Sequence, residues 1–151
     1  MIILTSVNNT YGGVALDFEI AQKAIEVINK IRYEEILWKP KKGKEHLNRR
    51  KGMGHIPETY TLDDYNNLIK SIVNDVDNQV YLYYKKIFKQ RYFAFGDCKR
   101  NWEVIIGENG VMETAYEVVD MDYEKHFKKE GYHYLGTLEE VENFGGVNEK
   151  D

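Results

Sequence analysis

The sequence has a single cysteine, Cys98, so no disulfide can form within the chain, which fits a reducing compartment. Cys98 sits in a polar turn beside Lys99 and Arg100, neighbours that can lower a thiol pKa, but the commoner reading is an ordinary loop thiol. No apolar run is long enough to span a bilayer. The start of the chain, MIILTSVNNT, lacks the basic lead and cleavage site of a signal peptide, and the expected location is the cytoplasm. Lone Cys98 and four scattered histidines do not make a tetrahedral zinc set, so no metal or cofactor is expected. Gly43-Lys44 is followed by Glu rather than Ser or Thr, which removes a phosphate-binding loop of the Walker type. A Gly-x-Ser-x-Gly elbow, an internal repeat and a low-complexity tract are all missing.

The composition that remains is that of a globular domain. Its 151 residues are 42% hydrophobic and 30% charged, enough for one domain with a real core. Core structure is expected over about 14–130, with 145–151 a frayed tail. Tyrosine is abundant, 12 residues against 6 Phe and 2 Trp. Tyrosine suits sheets and half-wet surfaces, and it also stacks on nucleobases.

Periodicity gives the order of elements. Asp17 reads as an N-cap for a helix whose apolar face is Phe18, Ala21, Ile25 and Ile28, flanked by Ile20, Ala24, Val27 and Ile31. Lys39-Pro40 closes the segment that follows. A second helix opens at Thr61, with Asp64 completing a near-capping box, and buries Tyr65, Leu68, Ile69, Ile72 and Val73. The pattern then changes to strands at Val80 to Phe88, Tyr92 to Phe95, Trp102 to Ile106 and Val111 to Tyr116. Asn109-Gly110 reads as a type I′ hairpin. A third helix is expected around Asp120 to Lys129, and Thr137 with Glu140 makes a capping box for a short last one. The expectation is an α+β fold: N-terminal helices on a four-stranded antiparallel meander, then short helices.

Against a formal net charge of −4, one stretch reverses the sign. Lys39, Lys41, Lys42, Lys44, Arg49, Arg50 and Lys51 surround His46 and His55, with Glu45 among them. It reads as a loop with one helical turn near Glu45 to Arg50, interrupted by glycines. Clustered cations attract phosphates. Imidazoles move protons near neutral pH, and a guanidinium can hold two oxygens of a phosphorane. These are the parts that RNA cleavage by 2′-hydroxyl attack requires: a base, an acid and a cation. His46 and His55 are the candidate acid–base pair, and Arg49 or Arg50 the stabiliser. Thr114 and Tyr116 project to one face of the last strand, where hydroxyls can orient phosphate or base. Lys44, Lys51, Arg91 and Arg100 are candidates for binding the substrate backbone. The competing reading is a solvated basic loop with incidental histidines. His126, among Lys125, Lys128 and Lys129, is read as exposed and without a role, and Trp102 as core.

The motifs Gly54-His55-Ile56-Pro57, the helix Leu62 to Val73, Trp102-Glu-Val-Ile-Ile-Gly107 and Gly110-Val-Met-Glu-Thr-Ala-Tyr116 together resemble the barnase–EndoU–colicin–RelE-like superfamily of small ribonucleases, in its phage-associated branch. The resemblance spans about 44–117. It implies a metal-independent RNase of toxin or mobile-element type, with RNA on the open sheet face and a cognate inhibitor protein as a second partner. By position, His55 matches the loop histidine, and Thr114 and Tyr116 the polar residues of the last strand. His46 and the arginines are carried by chemistry alone. The alternative is a non-catalytic module that binds nucleic acid or a protein, as an immunity factor would.

Overall fold

A computed structural model describes residues 10–11, 14–85, 87, 89–119 and 121–146. The expected N-terminal arm over 1–9 and most of the expected tail lie outside the described residues. Strands β1 (Thr10–Tyr11) and β2 (Val14–Ala15) pair antiparallel as a short ribbon. Helix α1 (Phe18–Tyr33) starts where Asp17 accepts a hydrogen bond from the Ile20 N–H at 2.8 Å. It buries Ile20, Ala21, Ala24, Val27, Ile28 and Ile31. Its last carbonyls are not orphaned, because the Lys70 ammonium donates to Ile31 O and Glu34 O, both at 2.6 Å. Helix α3 (Leu62–Asn74) has the full reciprocal box between Thr61 and Asp64, with bonds of 2.8 and 3.1 Å.

Between them the basic segment is a helix and not a loop: α2 covers Lys42–Gly52. Its polar sequence carries almost no amphipathic signal, so its helicity comes from tertiary contact. Gly43, Leu47 and Arg50 form its buried stripe. Gly43 must be small, because a Cβ there would lie 2.9 Å from the Trp38 ring.

The sheet has five strands, one more than the hydrophobic pattern indicates. In chain order they are β3 (Gln79–Lys85), β4 (Gln90–Asp97), β5 (Trp102–Gly107), β6 (Met112–Glu117) and β7 (Tyr132–Thr137). In space they run β6-β5-β4-β3-β7, all antiparallel. The first four form the expected meander, and β7 returns to pair with β3 on its open side. A bulge in β7 opposite Val80 and Tyr81 adds Leu135 to the ladder, and Leu135 is buried in the main core. Helix α4 is a single turn, Tyr123–His126, capped by Asp122, and is much shorter than the expected third helix. Helix α5 (Leu138–Gly146) begins with the expected Thr137–Glu140 box and packs on α1. Asn109-Gly110 does make a hairpin turn, but among the turn residues only Gly110 has positive φ, at 88°. Asn109 accepts from the Val111 N–H instead, so the turn is not type I′.

The two sheet faces differ. One packs Val80, Leu82, Phe93, Phe95, Trp102, Val104, Ile106 and Ala115 against the helices and forms the main core. The other carries Tyr81, Ala94 and Ile105, with Phe127 and a ring of half-buried tyrosines. Residues after β6 fold across this second face, so it is not the open surface that the resemblance implies. Among the described residues no helix is long and apolar enough to cross a membrane.

Candidate functional site at the β6 edge

Strand β6 is the edge of the sheet, and α2 lies beside it. Pairing aligns Thr114 with Ile105 and Tyr116 with Glu103, so Thr114 and Tyr116 share the tyrosine-rich face, as alternation requires. A register shift between Ile105 and Ile106 lets Met112 and Ala115 both reach the opposite core.

Along this edge the chain gathers the six residues proposed for chemistry. His46 Nδ1 lies 3.2 Å from Thr114 Oγ1. The His46 ring also stacks on Trp38 at 5.3 Å between centroids, and Trp38 stacks on Tyr65 at 5.9 Å, which anchors the imidazole to the core. The Arg50 guanidinium carbon sits 5.6 Å from the centre of the Tyr116 ring. His55 follows the helix and accepts the Glu117 N–H at Nδ1, 3.2 Å away, with its ring edge-on to Trp102. Arg49 is exposed on the His46 side of the helix. With 3.6 residues per turn, Lys42, His46 and Arg49 flank the buried stripe on one side, and Lys44 and Lys51 flank it on the other.

The remaining candidates are elsewhere. Arg91 is bound by Glu108 at 2.9 Å and Glu19 at 3.3 Å, against the start of α1. Arg100 bonds Asp97 at 3.2 Å and Ser71 at 3.1 Å. Neither reaches the face of Thr114 and Tyr116: Arg91 lies on the side of β4 that turns Phe93 and Phe95 toward the helices, and Arg100 is held by Ser71 and Asp97. Lys44 lines a different hollow, near Trp38, Asn66 and Lys70.

The electrostatics sharpen these roles. The His46 pKa is lowered to about 4, chiefly by burial and then by the charges of Arg49, Arg50 and Lys42. His55 is also lowered, by burial first and Arg50 second. Both imidazoles are therefore neutral at pH 7. In neutral His55 the Nδ1 lone pair is taken by the Glu117 N–H, so the proton is on Nε2. His55 thus offers its Nε2–H as a donor. Arg50 is only 6% exposed, and its Nε has no partner among the described residues. It is a buried positive charge held by a π face and by the Met53 sulfur at 3.3 Å, not a free arm for a phosphorane. Arg49 can play that part.

Beneath Tyr116 lies a group that the sequence reading missed. Glu103, fully buried, accepts from the Tyr116 hydroxyl at 2.6 Å and the Tyr132 hydroxyl at 2.6 Å, with His126 Nε2 also 2.6 Å away. His126 is 3% exposed, which overturns its reading as a surface histidine, and its Nδ1 has no partner among the described residues. Burial first and the Glu103 carboxylate second push the Tyr116 and Tyr132 hydroxyls far above their usual range, so neither phenol ionises. The available signal was Glu103 itself, a carboxylate inside the apolar run Trp102-Glu-Val-Ile-Ile. Among the described residues no group of three or more His, Cys, Asp or Glu converges as metal ligands.

Compared with known proteins, the chain matches no family model, no curated protein and no solved structure. The ribonuclease resemblance therefore rests on the quoted motifs alone.

Proposed function

We propose that the surface where α2 meets β6 binds RNA and that the chain is a metal-independent endoribonuclease. One observation carries the reading: a histidine, a pair of arginines and the two strand hydroxyl residues, far apart in sequence, meet at one sheet edge, centred on the 3.2 Å contact between His46 and Thr114. When His46 Nδ1–H donates to Thr114 Oγ1, its Nε2 lone pair is available to take the 2′-hydroxyl proton. Arg49 and the Nε2–H of His55 hold non-bridging phosphate oxygens. Arg50 fixes Tyr116 and supplies positive potential from below. A base of pKa about 4 is weak. A bound phosphate offsets the Arg49, Arg50 and Lys42 charges, the smaller part of that lowering, and leaves the part due to burial.

A second reading, a non-catalytic RNA-binding module, is favoured by one specific observation. His55 is held neutral, with its Nδ1 bonded to the Glu117 N–H, so no imidazolium stands ready to protonate the leaving oxygen.

Purified protein incubated with total RNA and excess chelator separates the two. Cleavage leaving 2′,3′-cyclic phosphate ends, reduced at least about 10²-fold in His46→Gln, is the outcome expected of the nuclease. His55→Ala should cost less than His46→Gln. Salt-sensitive binding without cleavage leaves only the module, and neither binding nor cleavage rejects both RNA readings.

A further inference from the structure

The tyrosine-rich face carries a second concavity, away from α2. Where the segment around α4 crosses the sheet, it leaves an open cleft of about 450 Å³ against β3 and β7. The cleft lies within the size range of small-ligand sites, which are mostly apolar with a few fixed polar groups. Its walls are Tyr81, Tyr123, Phe127, Tyr132 and Tyr134, and its polar floor includes Gln79. Exposed Lys128 stands at its border.

Gln79 is oriented. Its Oε1 accepts from the Tyr81 hydroxyl at 3.0 Å and from the Tyr123 hydroxyl at 2.5 Å. The amide nitrogen, with its two N–H donors, bonds no group among the described residues. Glu124 lines the cleft as well, so its border carries both signs of charge. A flat aromatic enclosure with one aimed amide suits a planar heterocycle bearing a carbonyl. The cleft is also in register with the β6 edge. Gln79 aligns through Gly96 and Glu103 with Tyr116, and Tyr81 aligns through Ala94 and Ile105 with Thr114. Three strand spacings, about 14 Å, separate β3 from β6. A few nucleotides span that distance.

We propose that this cleft is a base-binding subsite: it takes one unpaired nucleobase of single-stranded RNA whose backbone lies along the β6 edge, stacking it on the tyrosines and donating to it from the Gln79 amide. The inference rests on the RNA reading above and adds a substrate class, single-stranded RNA with a base available for stacking.

The test is a binding titration of the full chain with fluorescein-labelled heptameric oligouridylate, against the same heptamers made abasic at one position at a time. Loss of a stacked base typically costs about tenfold or more in affinity. The expected result is such a loss at one position, with the other positions nearly neutral. Gln79→Glu, which keeps the acceptor for the tyrosines and removes the donors, should weaken the intact heptamer but not the heptamer abasic at that position. Binding that Arg49→Ala weakens but that no abasic substitution and no Gln79 change alters would overturn the cleft and leave the RNA reading standing. No binding of any heptamer would remove the RNA reading and the cleft together. The abasic scan uses the unaltered protein, so its outcome does not depend on a variant folding.

Discussion

A histidine half-buried among cations behaves differently from one in water, and His46 shows how far burial first and neighbouring charge second move it. A pKa near 4 in the folded chain against about 6.5 unfolded means that the unfolded state takes up the proton first as pH falls. Stability contributed by neutral His46 is thus complete above about pH 6.5 and declines as pH falls toward 4. Proton NMR should show the His46 ring titrating near pH 4 in the native protein, and Arg49→Ala should raise that midpoint. A midpoint at 6.5 would mean that the ring is neither buried nor close to the arginines. His55 should titrate below 6.5 as well, because it is partly buried and Arg50 lies beside it. Arg50 itself illustrates that residue type does not give role. As a guanidinium in a basic run it looked free for substrate, and burial under Tyr116 makes it an anchor.

Among the elements, α4 has the largest effect for its length. One turn brings Tyr123, His126 and Phe127 down onto β4, and the strand admits them because it is small there. Ala94 is fully buried, and a Cβ on Gly96 would collide with the Tyr123 hydroxyl. Gly96→Ala should therefore push Tyr123 off Gln79 and cost about 1–3 kcal/mol, the usual range for overpacking. Urea unfolding monitored by circular dichroism reads this directly, and an unchanged midpoint would show that α4 does not sit against the strand. Helix α2 is the converse case: a helix with little pattern of its own, held by Leu47, Arg50 and the Trp38 contact. Its helicity was hidden in the sequence because charged residues and two glycines occupy the positions that would show a period. The strand β7 was hidden for another reason. Its bulge breaks the alternation between Tyr134 and Leu135, and a strand that pairs out of chain order leaves no local turn to announce it.

For the molecule as a whole, a net charge of −4 coexists with a cationic flank on one edge. The acids are not spread evenly: Glu19 and Glu108 neutralise Arg91, and Asp75 and Asp97 neutralise Lys99 and Arg100. Among the described residues Arg49, beside His46, has no carboxylate partner, and neither has Lys51 on the other flank of α2. An acidic protein that binds RNA through such a patch should do so with a modest salt slope. Three or four phosphate contacts predict that log K falls against log salt with a slope of about −2 to −3. A slope near zero would point to a partner recognised by shape and stacking alone.

Local signals in the chain were enough for the class and much of the frame. Capping residues at Asp17, Thr61 and Thr137 and apolar stripes at helical and strand periods are local signals, so α1, α3, α5 and the meander β3 to β6 could be read from neighbours in the chain. The sequence also marked out the basic segment, because a charge reversal is visible without a fold. Long-range packing settles which of those cations meet Thr114 and Tyr116, that His126 and Glu103 share a buried network, and that β7 and α4 cover the sheet and leave a cleft at Gln79. Each of these depends on contacts between residues distant in sequence, set by which side chains can be buried together, and no local pattern records that choice.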